Sequence, residues 1–193
     1  MTHLTPTTIN LENIACKSVN KMGANGKFIK LHYTGDGGPS IKIELPHVNV
    51  LKKPYSFDGD KNKMYFVLSL KKTSDDKEKE DIIDFFNKFD NWMMTFIADY
   101  SYDWFGTKLH FSDVKNIYKK SLFQKDNEIN LRLKIPFHYG KCTCAISKED
   151  GEPMSAEAVE ENMEYSYIIE LNGVWYTPNN IGVTWNCSRI NLF

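Results

Sequence analysis

Apolar and polar positions alternate most cleanly at Ile41-Lys42-Ile43-Glu44-Leu45 and over 129–137, INLRLKIPF. A period of two predicts half-buried β-strands. In the second stretch Leu131, Leu133 and Ile135 take one face, and Arg132 and Lys134 the other. Another strand is expected over 27–33, KFIKLHY, where Leu31 and Tyr33 alternate with Lys30 and His32. Gly35-Asp36-Gly37-Gly38-Pro39 is a strong turn signal, so this strand and 41–45 read as a hairpin. Pro46 and Pro54 bracket Val48, Val50 and Leu51, which predicts an irregular edge. The run 65–70, YFVLSL, is nearly all apolar and predicts a central strand, and 141–147, KCTCAIS, predicts another. Residues 1–20 predict a loose arm or a first short strand.

The period changes at Ile82, Phe85, Phe86, Phe89, Trp92, Met93, Phe96 and Ile97. Spacings of three and four predict a helix with a wide apolar stripe that packs on a sheet. Ser74 or Asp75 is the expected cap, and the acids that follow complement the helix dipole. The segment 100–105, YSYDWF, reads as a separate aromatic stretch ended by Gly106, with Trp104 and Phe105 on opposite faces if it is extended. A second short helix is expected from Phe111 to about Tyr118. Residues 148–164 form an acidic excursion, expected to be mobile. Residues 164–193 predict a terminal hairpin rich in aromatics, on which Trp175 and Tyr176 point to opposite faces.

The elements, about seven to nine strands and two helices without βαβ alternation, define a β-rich α+β class. The expected architecture is an antiparallel sheet or an OB-like barrel with one long and one short helix, as a single domain over 1–193. At 193 residues with 41% hydrophobic and 25% charged, such a chain can bury a core without covalent staples. Cys16, Cys142, Cys144 and Cys187 have neither disulfide-framework nor zinc spacing. They read as reduced thiols of an intracellular protein. No apolar run suggests a signal peptide or a membrane span.

The net charge of −1 argues against a uniformly basic protein, but the distribution is uneven. Lys115, Lys119, Lys120, Lys125, Arg132, Lys134 and Lys141 outnumber the acids of their segment, and the balance reverses after Cys142. This pattern predicts a basic face and an acidic loop. The five histidines form no metal-ligand spacing, and no GxSxG, Walker A or GxGxxG element is present. Asp99 and Asp103, four apart, fix no reaction, and Asp58-Gly59-Asp60 lacks the rest of a calcium loop. The expectation is therefore a protein that is not an enzyme, with no cofactor and no metal.

What remains is aromatic residues beside cations on strands, the pattern that binds single-stranded nucleic acid by base stacking and phosphate contact. The candidate nucleic-acid-binding residues are Lys30, Tyr33, Lys42, Lys52, Lys53, Tyr55, Tyr102, Trp104, Lys119, Lys120, Arg132, Lys134, Trp175, Tyr176 and Arg189. Phe57 and Tyr139 are further stacking candidates. The acidic 148–164 loop is expected to compete with nucleic acid for the groove. The alternative is a protein-interaction or virion structural module.

Three segments carry a family resemblance: GDGGPSIKIELPHV, DVKNIYKKSLFQKDNEINLRLKIPF and ELNGVWYTPNNIGVTWNCSRINLF. Their order resembles the single-stranded-DNA-binding proteins of nucleocytoplasmic large DNA viruses, of the poxvirus and asfarvirus type. The resemblance implies an OB-like core and sequence-independent binding of single-stranded DNA in viral replication, recombination or repair. It implies single-stranded DNA or RNA, further copies of the chain and replication proteins as partners, and a viral factory or nucleus as location, with no membrane. One departure is the ending Asn191-Leu192-Phe193, where many single-strand binders have an acidic tail. Either that tail is lacking, the 148–164 loop takes its place, or the natural chain runs on.

Overall fold

The structure is a computed structural model that describes residues 4–36, 38–56, 59, 64–71, 76–125, 127–148 and 150–192. The strands are β1 (Ile14–Met22), β2 (Gly26–Tyr33), β3 (Lys42–Ser56), β4 (Met64–Ser69), β5 (Tyr118–Lys119), β6 (Leu122–Lys125), β7 (Glu128–Ile135), β8 (Phe137–His138), β9 (Lys141–Cys142), β10 (Ala145–Lys148), β11 (Glu164–Thr177) and β12 (Asn180–Leu192). The helices are α1 (Lys77–Phe105) and α2 (Phe111–Ile117).

Five strands close on themselves. β3 pairs β4, β4 pairs β7, β7 pairs β12 in parallel, β12 pairs β11, and β11 returns to β3. Numbered along the chain from β3, the ring runs 1-2-3-5-4, a Greek-key barrel of OB type. Its interior holds Ile43, Leu45, Phe66, Leu68, Leu131, Leu133, Tyr167 and Ile169, all fully buried. The barrel expectation therefore holds over the open-sheet alternative, with one long and one short helix as read from the sequence.

The expected hairpin of 27–33 with 41–45 does not form. β2 pairs β1 on one side and β11 on the other, so β11 lies between β2 and β3. β1 and β2 instead make a ribbon that extends the sheet away from the barrel. A turn signal constrains chain direction and leaves open whether the strands it joins are neighbours.

β3 carries both prolines inside one long strand, because each sits in a bulge. Tyr165 and Tyr167 oppose Val48 and Leu45, so Pro46 and His47 together stand opposite Ser166 alone, one residue in excess. Val67 and Tyr65 oppose Lys52 and Tyr55, so Lys53 and Pro54 together stand opposite Phe66 alone, again one residue in excess. A missing N–H costs little where the ladder is already interrupted.

α1 is longer than the periodicity of its apolar stripe suggested. It runs unbroken through YSYDWF and stops at Gly106, a left-handed cap (φ 76°) whose N–H donates to the Tyr102 carbonyl. Tyr100 and Trp104, four apart, stack at 5.6 Å. The expected caps Ser74 and Asp75 lie outside the described residues, and Asp76 accepts from the Lys79 backbone N–H instead. One face of α1 closes the barrel end: Phe85, Phe86 and Phe89 surround Trp185 at 6.3, 5.4 and 5.0 Å. No helix among the described residues is long and apolar enough to cross a membrane.

The acidic excursion is docked. Asn162 N–H donates to the Val50 carbonyl at 2.7 Å, and Val50 N–H donates to the Met163 carbonyl at 3.0 Å. Val159 is fully buried, and Glu161 accepts from the Lys53 backbone N–H.

Candidate nucleic-acid interface

The face of β4 and β7 that points away from the barrel interior follows from alternation. Phe66 and Leu68 turn inward, so Tyr65 and Val67 turn outward; Leu131 and Leu133 turn inward, so Arg132 and Lys134 turn outward. Register then lines these residues up across the sheet. Tyr55 opposes Tyr65, Tyr65 opposes Lys134, and Lys134 opposes Asn186. One step along, Lys52 opposes Val67 and Val67 opposes Arg132. Directly opposed residues share a face, so these two rows lie on one outer face of the barrel, with Val67 covered at 4% exposed. Lys52 Nζ sits 4.2 Å from the Tyr55 ring centre, and Tyr55 lies 6.4 Å from Tyr65.

This surface forms one wall of a groove of about 640 Å³. Tyr65, Phe123, Arg132, Lys134, Lys119, Lys120, Trp175, Val183 and Thr184 line it, with Tyr118, Ser121 and Trp185 among its other residues. The Arg132 guanidinium lies 5.0 Å from the Phe123 ring centre. Four cations and three partly exposed aromatic rings thus meet in one concave site.

Trp175 is held in place. Its indole N–H donates to the Val183 carbonyl at 3.3 Å. Its ring covers Gly182, where a Cβ would stand 2.5 Å from the indole. Glycine at 182 therefore seats the ring close to the sheet.

The loop that carries Lys119 and Lys120 is pinned from below by Asp90 on α1. Tyr118 hydroxyl donates to Asp90 Oδ1 at 2.8 Å, and Ser121 hydroxyl donates to the same oxygen at 2.8 Å. Ser121 backbone N–H donates to Oδ2 at 2.8 Å. Trp185 indole N–H in turn donates to the Ser121 hydroxyl at 3.2 Å. Burial pushes the Asp90 carboxyl above its ordinary value, opposed by these hydrogen bonds and by the charge of Lys120. Burial and the neighbouring carboxylate push the Tyr118 phenol well up, so it remains a donor.

Of the residues expected from the sequence, Lys119, Lys120, Arg132, Lys134 and Trp175 meet in the groove, and Lys52 and Tyr55 continue its wall. The others lie elsewhere. Tyr33 and Trp104 are 5% and 4% exposed and belong to the core, so neither has a face for a base. Trp104 is buried because it lies on the helix, three residues after Ser101 and seven after Ile97, on the stripe that faces the core. Tyr176 stacks on Phe105 of α1 at 4.1 Å, on the opposite face from Trp175. Tyr102 is 66% exposed but sits on the outer side of α1 and does not line the groove. Lys42 pairs with Glu170 at 4.0 Å. Lys53 lines a different cavity with Cys142 and Met154. Arg189 lies opposite Ala145 and Ile168, away from the groove. Lys30 lies on the β2 ribbon, and Tyr139 is exposed beside His138. Phe57 lies outside the described residues. None of the described residues of 148–164 lines the groove, so the acidic loop is not placed to compete for it.

Sequence reading passed over Tyr65, Phe123 and Thr184. For Tyr65 the signal was present: alternation within YFVLSL puts Tyr65 opposite in facing to Phe66. The even hydrophobicity of the run concealed it. Among the described residues no group of three His, Cys, Asp or Glu side chains could hold a metal ion.

The architecture is similar to that of a solved structure, the single-stranded DNA binding protein gp2.5 encoded by bacteriophage T7. The two align with a TM-score of 0.52 at 11% identity, covering 78% of this chain and 90% of that one. At that identity the likeness carries the fold. No curated protein matches the chain in sequence. A family model does match, over residues 68–192, and the chain belongs to that family, a family of unknown function termed DUF5871.

Proposed function

We propose that this protein binds single-stranded DNA without sequence preference, in the groove between β4, β7, the 118–121 loop and the β11–β12 hairpin. The carrying observation is that Lys119, Lys120, Arg132 and Lys134, distant in sequence, line the same concavity as Trp175 and Tyr65. Bases stack on the rings, each worth about 1–3 kcal/mol, while the cations contact phosphates. Stacking accepts any base because every base has a π face. The groove lies on the second and third strands of the barrel, the face on which OB barrels take oligonucleotides. The T7 neighbour, named as a single-stranded DNA binding protein, supports the same reading through its fold.

On this reading the protein is a non-enzymatic cover for exposed single strands in replication, recombination or repair. The sequence resemblance to the large-DNA-virus proteins favours viral DNA as that strand and a viral factory or nucleus as the setting. Fluorescence anisotropy of labelled oligo-dT at two salt concentrations tests the binding. Affinity that falls steeply with salt, and that duplex DNA competes for poorly, is the expected result. Absence of binding at low salt overturns the reading in favour of a protein-interaction module.

A further inference from the structure

We propose that the single strand does not end its path at the barrel but continues onto the β1–β2 ribbon, where Phe28 is a second stacking platform and Lys30 the next phosphate contact. This rests on the groove reading above and extends it to a longer site.

The register carries the argument. Trp175 opposes Gly182 on one side and Phe28 on the other. Phe28 in turn opposes Asn20 of β1. Lys119, Trp175, Phe28 and Asn20 therefore lie in one row on one face, running from the groove onto the ribbon. The neighbouring row is Thr184, Gly173, Lys30 and Ser18. Thr184 lines the groove, and Gly173 has no side chain to block the way from it to Lys30.

Gly173 also seats the second ring. A Cβ there would stand 2.9 Å from Phe28 Cζ and 2.3 Å from the Ile29 carbonyl oxygen, and its φ of 150° suits glycine. Phe28 lies over Gly173 as Trp175 lies over Gly182, and both rings are partly exposed. Directly paired residues hold their Cβ atoms about 4.5–5.5 Å apart, so one strand can reach both rings. The ribbon is also free of acids: residues 13–34 contain Lys17, Lys21, Lys27 and Lys30 and no Asp or Glu. Nothing there repels a phosphate chain.

Oligo-dT of about 4 and about 12 nucleotides, spanning the site sizes of single OB folds, separates groove from ribbon. The wild-type protein should bind the longer oligomer more tightly. Phe28→Leu, which keeps the ribbon packed but removes the π face, should weaken the longer oligomer by about 5- to 100-fold and leave the shorter one unchanged. Lys30→Gln should lower the salt slope on the longer oligomer by about 0.7. Wild-type affinity for both lengths in both variants overturns the ribbon path while leaving the groove reading intact. So does a loss in Phe28→Ala that Phe28→Leu and Lys30→Gln do not share, since that is a packing effect. If the wild-type protein binds neither oligomer, the groove reading falls and the ribbon path with it.

Discussion

The indole of Trp175 lies so close to Gly182 that a methyl group on the glycine would stand 2.5 Å from the ring. The backbone at 182 thus sets the height of the groove's largest aromatic surface. It follows that Gly182→Ala lifts or turns the indole without deleting it. Oligo-dT affinity should drop by roughly 1 kcal/mol or more, approaching the loss of about 1–3 kcal/mol expected for Trp175→Ala. Anisotropy titration of both variants checks this. Full affinity in Gly182→Ala would mean that the ring is not a stacking platform in this position.

The cations of the groove make a prediction about salt. Each phosphate contact on single-stranded DNA contributes about 0.7 to the slope of log affinity against log salt. Arg132→Gln and Lys134→Gln should each flatten the slope by about that amount. Lys42→Gln should leave it unchanged, because Lys42 faces Glu170 outside the groove. Equal slopes in all three variants would show that the charge acts at long range and not at the lining of the groove.

Asp90 makes a prediction about stability and its pH dependence. It accepts from Tyr118 and twice from Ser121 while almost fully buried. Asp90→Ala leaves those donors without a partner and should cost roughly 2–4 kcal/mol. The folded carboxyl is raised above its ordinary value of 3.8, so the folded state holds this proton more tightly than the unfolded one. The stability that Asp90 contributes is full below that value and is lost as pH rises through the raised one. Asp90→Asn does not titrate. Wild-type Tm minus Asp90→Asn Tm, measured from about pH 4 upward, should therefore shrink as pH rises. A difference that grows with pH would contradict the direction of the shift.

Tyr176 and Trp104 serve as core controls. Tyr176 stacks on Phe105, and Trp104 is buried against Phe96 and Tyr100. Trp104→Ala should cost about 3–5 kcal/mol of stability. Tyr176→Ala should lower Tm by loosening the contact between α1 and the terminal hairpin. While folded, both should bind oligo-dT like the wild type. A selective loss of affinity in Tyr176→Ala, with Tm unchanged, would place a nucleic-acid contact on the helix side of the sheet.

Much of the fold is written in local patterns. Alternation over 129–137 assigned Arg132 and Lys134 to the outer face of a strand, and the structure places them there. The three-and-four spacing of Ile82 to Ile97 marked the helix and its buried stripe. Trp175 and Tyr176 do face opposite ways. These features depend on neighbours within a few residues, where the pleat and the helical turn dictate facing.

Other features were beyond reach of any local pattern. YSYDWF could be a loop or a last turn and a half of helix until Gly106 in its left-handed conformation was seen to end it. Tyr33 counted as a stacking candidate, yet it shares the apolar face of Leu31, its ring is buried, and its hydroxyl accepts from Asn10 N–H, a partner no local pattern reveals.

The sequence by itself determined the apolar stripe of α1, the alternation of β7 and which of its faces is basic, and that the chain is aromatic-rich without a catalytic motif. The tertiary structure alone decided that β11 inserts between β2 and β3, that Lys119 comes to lie opposite Gly182, and that Tyr65 shares a wall with Lys134. The physical reason is the range of the interactions. Facing is fixed by backbone geometry over two to four residues, whereas the groove is assembled by pairings between strands far apart in the chain. Those pairings are selected by the closure of the barrel around one core.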